Sequence, residues 1–328
     1  MKIAVLGGGA WGTAVASVLA DNGHDVFLWC YEEAVVHAIK TECCNTTYLP
    51  GVKLAKNIHP TTCLKETLID APLVFEAIPV PFLRHTLIQA RHYYASHQSW
   101  IVLSKGLEQQ TLALPLHIVK DVFGESVQAA VLMGPSFAHD VVKKQCTAVN
   151  VAGTSEHVVK AVQQAIQTDY FLVKPLDDVV GMQWCAVLKN CITVGVGILD
   201  GLGYGDNTKI FFLVQVLQEV QQVLQRAGGN PTTLYSLAGI GDLMLTALGS
   251  QSRNLKAGKL KAQGADDAQV KEVLGHLPEG FHALISVHAW LVQHQVHAPL
   301  LHAIYLMVHE KKAHDQLIHA LLRSIKYN

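Results

Sequence analysis

The chain has 328 residues, room for two domains at roughly 150 residues each, both with a full hydrophobic core. Half of the residues are hydrophobic and only 16% are charged, against about 25% in ordinary domains, which excludes an intrinsically disordered chain. Twenty-five Lys and Arg against 26 Asp and Glu leave a formal charge of -1, so no chain-wide field exists to coat nucleic acid, and any bound anion must be gripped locally.

From the N-terminus, Lys2 is followed by an uncharged run to Ala20, but glycines interrupt it after four apolar residues. A secretory leader needs about 7–15. Short β-branched runs then recur between helical segments at residues 2–6, 26–30, 73–77, 100–103, 129–133 and 147–151. Near-continuous apolar strands separated by helices predict a parallel sheet covered on both faces. Beyond Gly181 the strand signal fades, and helical patterns cover 181–199, 207–227, 232–248 and the C-terminal hundred residues. The expected fold is therefore α/β, a Rossmann-type doubly wound sheet over 1–180 followed by an all-α domain over 181–328. The boundary near 175–181 carries no linker-like composition and is expected to be a packed junction.

The uncharged stretch Gly280–His309 is long enough for a bilayer, but six histidines and Pro299 place it on helices of a soluble domain. Of those histidines only His294 and His297 share a helical face, with no acidic third ligand beside them, so no metal is expected. Seven cysteines without a C-x-x-C pair read as reduced thiols of a cytoplasmic protein.

Directly after the first strand stands Gly7-Gly8-Gly9-Ala10-Trp11-Gly12, followed by an Ala-rich helical pattern. This is G-x-G-x-x-G in the strand-turn-helix setting that binds dinucleotides. Gly7 permits the tight turn, Gly9 lets backbone approach a pyrophosphate, and Gly12 lets helix and strand pack closely. The helix N-terminus then offers free N–H groups to phosphate. At the end of the second strand the residues Tyr31-Glu32-Glu33 include carboxylates and no Arg or Lys before Lys40, which suits a free ribose 2′-OH and predicts NAD over NADP.

Reactive groups follow at Lys105, after a strand, and at Ser136 in Gly134-Pro-Ser-Phe-Ala138 after another. Both lie where open α/β sheets bind ligands, at the C-terminal edge. Lys189 is isolated in an otherwise uncharged run from Gly181 to Leu199. A desolvated lysine exchanges protons near neutral pH. Asp242 could orient it, and Arg253 with Asn254 could clamp a phosphate through paired N–H donors.

These segments, with Asn45-Thr-Thr-Tyr-Leu-Pro50, Gly201-Leu-Gly-Tyr-Gly-Asp-Asn-Thr208 and Glu279-Gly280, resemble the bacterial-type NAD(P)-dependent sn-glycerol-3-phosphate dehydrogenases nearly end to end. The resemblance implies a Rossmann domain followed by a helical domain like that of 6-phosphogluconate dehydrogenase, in a homodimer. It implies Lys189 as the proton acceptor from the C2 hydroxyl and Asp242 as its partner. Lys105, Gly134, Ser136, Lys189, Asp242, Ser252, Arg253 and Asn254 would then hold the phosphorylated substrate. Gly7, Gly9, Ala10, Trp11, Gly12, Tyr31, Lys105, Ala138, Arg253 and Glu279 would touch the dinucleotide.

The chain departs from the family pattern on the lysine helix, where Gln183-Trp-Cys-Ala-Val187 replaces Glu and Gly-Gly-Ala. Ile210-Phe-Phe212 and Gln215-Val216 replace small residues and an Arg-Gly pair, and Ala10, Tyr31 and Pro278 are also unusual. Two other readings therefore stand beside the first. One is a related dehydrogenase for another small phosphorylated or acidic hydroxy compound, and the other is a cofactor-binding homologue with little turnover.

Overall fold

The computed structural model describes residues 1–249, 252–310 and 316–326. Its contacts group the chain into two compact units, Met1–Lys105 with Ala113–Val179, and Gly106–Leu112 with Val180–Asn328. The excursion Gly106–Leu112 belongs to the second unit, where Ser286 Oγ donates to the Leu107 carbonyl at 3.4 Å. A single cut at residue 180 leaves that excursion out.

The first unit is built on eight strands, β1 (Lys2–Leu6), β2 (Asp25–Trp29), β3 (Ile58–Thr61), β4 (Leu73–Glu76), β5 (Ser99–Val102), β6 (Gln128–Met133), β7 (Thr147–Gly153) and β8 (Phe171–Pro175). They lie in the order β3-β2-β1-β4-β5-β6-β7-β8. From β3 to β6 all neighbours are parallel, as the apolar runs predict, and helices such as Ala10–Asp21 connect them. Ile3, Val5, Leu28, Phe75 and Ile101 sit in its core.

The sheet is not parallel throughout, because β7 runs antiparallel to β6. The connection between them carries one five-residue helix, Ala138–Val142. At about 1.5 Å per residue that helix covers under half the length of the strand it follows, so the chain does not return to start a parallel neighbour. Strands β3 and β8 are the two edges, and neither stands out in the sequence. Pro60 interrupts the ladder of β3, which a proline permits only at an edge. In β8, buried Phe171 and Val173 alternate with exposed Leu172 and Lys174.

The second unit is helical and forms around Val179–Gly201, whose residues 181–199 are buried. By length and composition this helix could cross a membrane, but 89% of its apolar window is covered by the protein itself. Its polar neighbours Lys189, Asn190 and Thr193 are buried with it. Gly197 and Gly258 let it cross the helix Arg253–Ala262 at backbone contact. A Cβ on Gly197 would lie 2.1 Å from the Leu255 carbonyl oxygen, and one on Gly258 would lie 2.1 Å from that of Val194.

The helix expected over 232–248 is instead three pieces, a 3-10 turn Pro231–Tyr235, a wide turn Leu237–Gly241 and the helix Asp242–Leu248. Gly239 breaks it, with φ −89° and ψ −107°, and a Cβ there would collide with the Leu234 carbonyl at 2.2 Å. The break starts the last helix at Asp242.

Candidate active site

In the first unit the parallel strands all end on one edge. That edge gathers the glycine turn after β1, Tyr31 after β2, the Ala77–Ile78 turn after β4, Lys105 after β5 and Gly134 to Ala138 after β6. Gly7 has φ +115°, and a Cβ on it would lie 2.7 Å from the Ala77 carbonyl oxygen. Gly12 is fixed equally hard, since its Cβ would lie 2.0 Å from the Gly7 carbonyl oxygen. Gly9 faces open space, with nothing within 4 Å of an added Cβ. It caps the helix Ala10–Asp21, whose first turn has neither a side-chain cap nor an acidic residue.

The leading N–H groups of that helix, including those of Ala10 and Trp11, are thus presented at a glycine with open space before it. That is a cradle for an anion. The arrangement fits the pyrophosphate of a dinucleotide.

Asn45, to which the sequence assigns no role, braces this turn from below. Its Nδ2 donates to the Gly8 carbonyl and to Thr13 Oγ1, both at 2.8 Å, and it is fully buried. At the adenosine end expected from the fold, Tyr31 is 81% exposed, and Glu32 accepts a hydrogen bond from the Tyr48 hydroxyl at 2.7 Å. Lys105 and Ala138 are half-buried, and Ser136 Oγ donates to the Gly134 carbonyl at 3.0 Å. Gly134 has no room for a side chain, since a Cβ would meet Val149 Cα at 2.8 Å.

The second unit holds the lysine. Lys189 Nζ donates to Asp242 Oδ1 at 2.6 Å and to Thr246 Oγ1 at 3.0 Å, and the two charged side chains are 8% and 2% exposed. Thr246 in turn donates to the Asp242 carbonyl at 2.7 Å. A small cavity lined by Cys185, Leu188, Ile192, Val220, Leu234, Gly239 and Leu243 adjoins the lysine. Lys189 is therefore a buried, paired cation in a largely apolar setting, not a surface lysine.

One residue on, Asn190 starts a chain of side-chain amides. Its Nδ2 donates to Glu279 Oε2 at 3.2 Å, its Oδ1 accepts from Asn254 Nδ2 at 2.9 Å, and Asn254 Oδ1 accepts from the Gly280 N–H at 2.9 Å. Ser252 caps the helix that carries Arg253 and Asn254, accepting from the Leu255 N–H at 3.3 Å. Arg253 is exposed, and its guanidinium contacts the ring of His276. Lys189, Asp242, Ser252, Arg253, Asn254 and Glu279 all belong to this unit, while Lys105, Gly134, Ser136 and Ala138 belong to the other. Thr246 and Asn190 are further parts of the constellation, and residue type alone did not single them out.

Profiles for the N-terminal and C-terminal parts of NAD-dependent glycerol-3-phosphate dehydrogenase match residues 2–159 and 178–319. The chain is 36% identical over 306 residues to a glycerol-3-phosphate dehydrogenase [NAD(P)+] of Bacillus cereus, covering 93% of this chain and 90% of that protein. The chain belongs to the NAD-dependent glycerol-3-phosphate dehydrogenase family. Its structure is similar to that of glycerol-3-phosphate dehydrogenase from Coxiella burnetii, with a TM-score of 0.93, 30% identity and 98% of each chain covered. It is also similar to the yeast glycerol-3-phosphate dehydrogenase GPD1 from Saccharomyces cerevisiae, with a TM-score of 0.86, 27% identity and coverage of 98% and 99%.

Within this family the larger residues of the lysine helix are absorbed by packing. Trp184 lies against Trp290, ring centroids 4.5 Å apart, Ala186 is fully buried, and Cys185 lines the cavity beside Lys189. Phe212 and Val216 are fully buried in the second unit, and Phe212 packs against Gly195, where an added Cβ would lie 2.9 Å from its ring. Lys189 keeps its pairing with Asp242 beside these side chains.

Proposed function

We propose that the chain interconverts sn-glycerol 3-phosphate and dihydroxyacetone phosphate with a nicotinamide dinucleotide. The buried Lys189–Asp242 pair in a chain of this family carries the reading. When bound, the dinucleotide accepts or supplies the hydride at C2; the protein supplies position and the proton. In the oxidation direction uncharged Lys189 Nζ accepts the proton of the C2 hydroxyl. In reduction the ammonium polarises the carbonyl and returns that proton to the oxygen. Asp242 and Thr246 hold Nζ in place for both directions.

Residues 1–180 are assigned to the dinucleotide, with Gly7, Gly9, Gly12, Ala10 and Trp11 at its phosphates and Tyr31 and Glu32 toward its adenosine. Residues 181–328 are assigned to the substrate, with Ser252, Arg253 and Asn254 at its phosphate, and Lys105, Gly134 and Ser136 contribute from the first unit. The carboxylate of Glu32 favours NAD over NADP. The free cysteines support a cytoplasmic location. A homodimer is assigned from membership of this family.

Oxidation of NADH with dihydroxyacetone phosphate, run beside other small ketones and beside a titration of NADH alone, tests the reading. Turnover with the phosphate ketone supports it. Turnover only with another ketone, or binding without turnover, replaces it by the corresponding alternative.

A further inference from the structure

One acidic residue of the first unit is used by none of the chemistry above. Glu76 ends β4 in the middle of the sheet, paired in register with Leu6 of β1 and Val102 of β5, and it is fully buried. A strand covered on both faces is ordinarily apolar throughout, and burying a carboxyl is costly unless its oxygens find donors. Here they do. Glu76 Oε1 accepts the Ile78 N–H at 2.7 Å, and Oε2 accepts the Ser104 hydroxyl at 2.9 Å. Burial pushes the carboxyl up to about 8, against the opposing pull of hydrogen bonds from Ile78 and Ser104.

The two segments held by this carboxyl border the dinucleotide site. The Ala77–Ile78 turn is the surface on which the glycine turn rests: the Ala77 carbonyl faces Gly7, and a Cβ on Gly12 would lie 3.3 Å from the Ala77 Cβ. Ala77 N–H also donates to the Leu6 carbonyl at 2.8 Å, immediately before the first glycine. Ser104 directly precedes Lys105 in the loop that follows β5, two residues past its last residue Val102. An apolar side chain at position 76 would complete the strand as well as glutamate does, but it would leave the Ile78 N–H and the Ser104 hydroxyl without this common acceptor.

We infer that Glu76 is a positioning residue for dinucleotide binding, tying the turn that backs the glycine loop to the strand end that presents Lys105. This rests on the proposed nicotinamide chemistry and extends it to a residue that touches neither cofactor nor substrate. A neutral amide of the same shape keeps an acceptor for Ile78 and a polar partner for Ser104, whereas leucine keeps only the volume.

The test is direct NADH binding by fluorescence titration of the full chain, at a temperature where circular dichroism shows each variant folded. Glu76→Gln is expected to bind near wild-type affinity, and Glu76→Leu to bind about tenfold or more weakly through misplacement of the turn. Ser104→Ala is expected to weaken binding in the same direction, with no additional loss in the Glu76→Leu background. A folded Glu76→Leu with wild-type affinity overturns the inference, as does equal loss in Gln and Leu variants. If the Leu variant does not fold, wild-type affinity in Ser104→Ala overturns it. A wild-type chain that binds no NADH overturns the parent reading and this one together, whereas binding by wild type with unaffected variants overturns this one alone.

Discussion

Asn254 Nδ2 donates to Asn190 Oδ1 at 2.9 Å, which ties the residue beside the buried lysine to the segment that carries Arg253. Both asparagines are buried, and each makes a second bond, to Glu279 and to the Gly280 N–H. A larger residue at Gly280 is obstructed by backbone, because a Cβ would lie 2.8 Å from the Asn190 carbonyl oxygen, as well as 2.7 Å from Asn254 Oδ1. The proton-transfer helix and the phosphate-clamp helix are thus coupled through amides with fixed partners.

Replacing Asn190 by leucine strands the Asn254 donor. Leaving a buried polar group unsatisfied costs about 1–3 kcal/mol, so Asn190→Leu should lower the denaturation midpoint accordingly. It should also raise KM for the phosphorylated substrate. An unaltered midpoint would show that the amide chain is not a structural tie.

The glycine turn separates structural from ligand-related demands at neighbouring positions. Gly9 has φ −71° and open space around an added Cβ, so Gly9→Ala should fold with wild-type stability while binding NADH more weakly, because the new methyl group stands where the phosphates approach. Gly12→Ala meets the Gly7 backbone and should lose stability, in the range of about 1–3 kcal/mol for an overpacked site. Thermal melts beside NADH titrations of both variants check this, and the reverse pattern would contradict the assigned roles.

Much of this was legible in the sequence because it depends on local order. The strand, glycine turn and helix are contiguous, and Lys189 is conspicuous in an uncharged run. Edge strands β3 and β8 were not, since Pro60 interrupts the one and apolar Leu172 on the exposed face hides the alternation of the other. The antiparallel turn to β7 depends on how far a five-residue helix can carry the chain. Asn45 stands in a segment that carries the family resemblance but without a role, Glu76 looks unremarkable among polar residues, and what gives them roles is a partner distant in sequence, Gly8 for one and Ser104 for the other. Glu76 in particular lies inside a run that reads as an ordinary buried strand.

A second buried acid makes stability depend on pH. Glu219 accepts the N–H groups of Leu300 and Leu301 at 2.7 and 2.9 Å, at the start of the helix Pro299–His309, and burial pushes its carboxyl from 4.5 up to about 7. An acid with a raised folded-state value favours the native state while protonated. Its contribution is fully present below 4.5 and is lost as pH rises to about 7. Across that window the wild type should lose up to about 1.4 kcal/mol per pH unit relative to Glu219→Gln. Denaturation of the two proteins at intervals between these values measures the difference, and parallel curves would refute it.

The lysine itself admits a test that separates catalysis from folding. Lys189→Met removes the proton carrier and should lower kcat by about 10²–10⁴, or roughly 3–5 kcal/mol of transition-state stabilisation. It also leaves Asp242 buried without its cation, a loss on the order of 3–5 kcal/mol in stability. Adding Asp242→Asn neutralises that charge, so the double variant should regain stability, with NADH affinity unchanged, while remaining inactive. Stability restored without turnover identifies Lys189 as the group that moves the proton. Near-wild-type turnover in either protein would remove it from the chemistry and leave the buried pair as a packing feature of the helical unit.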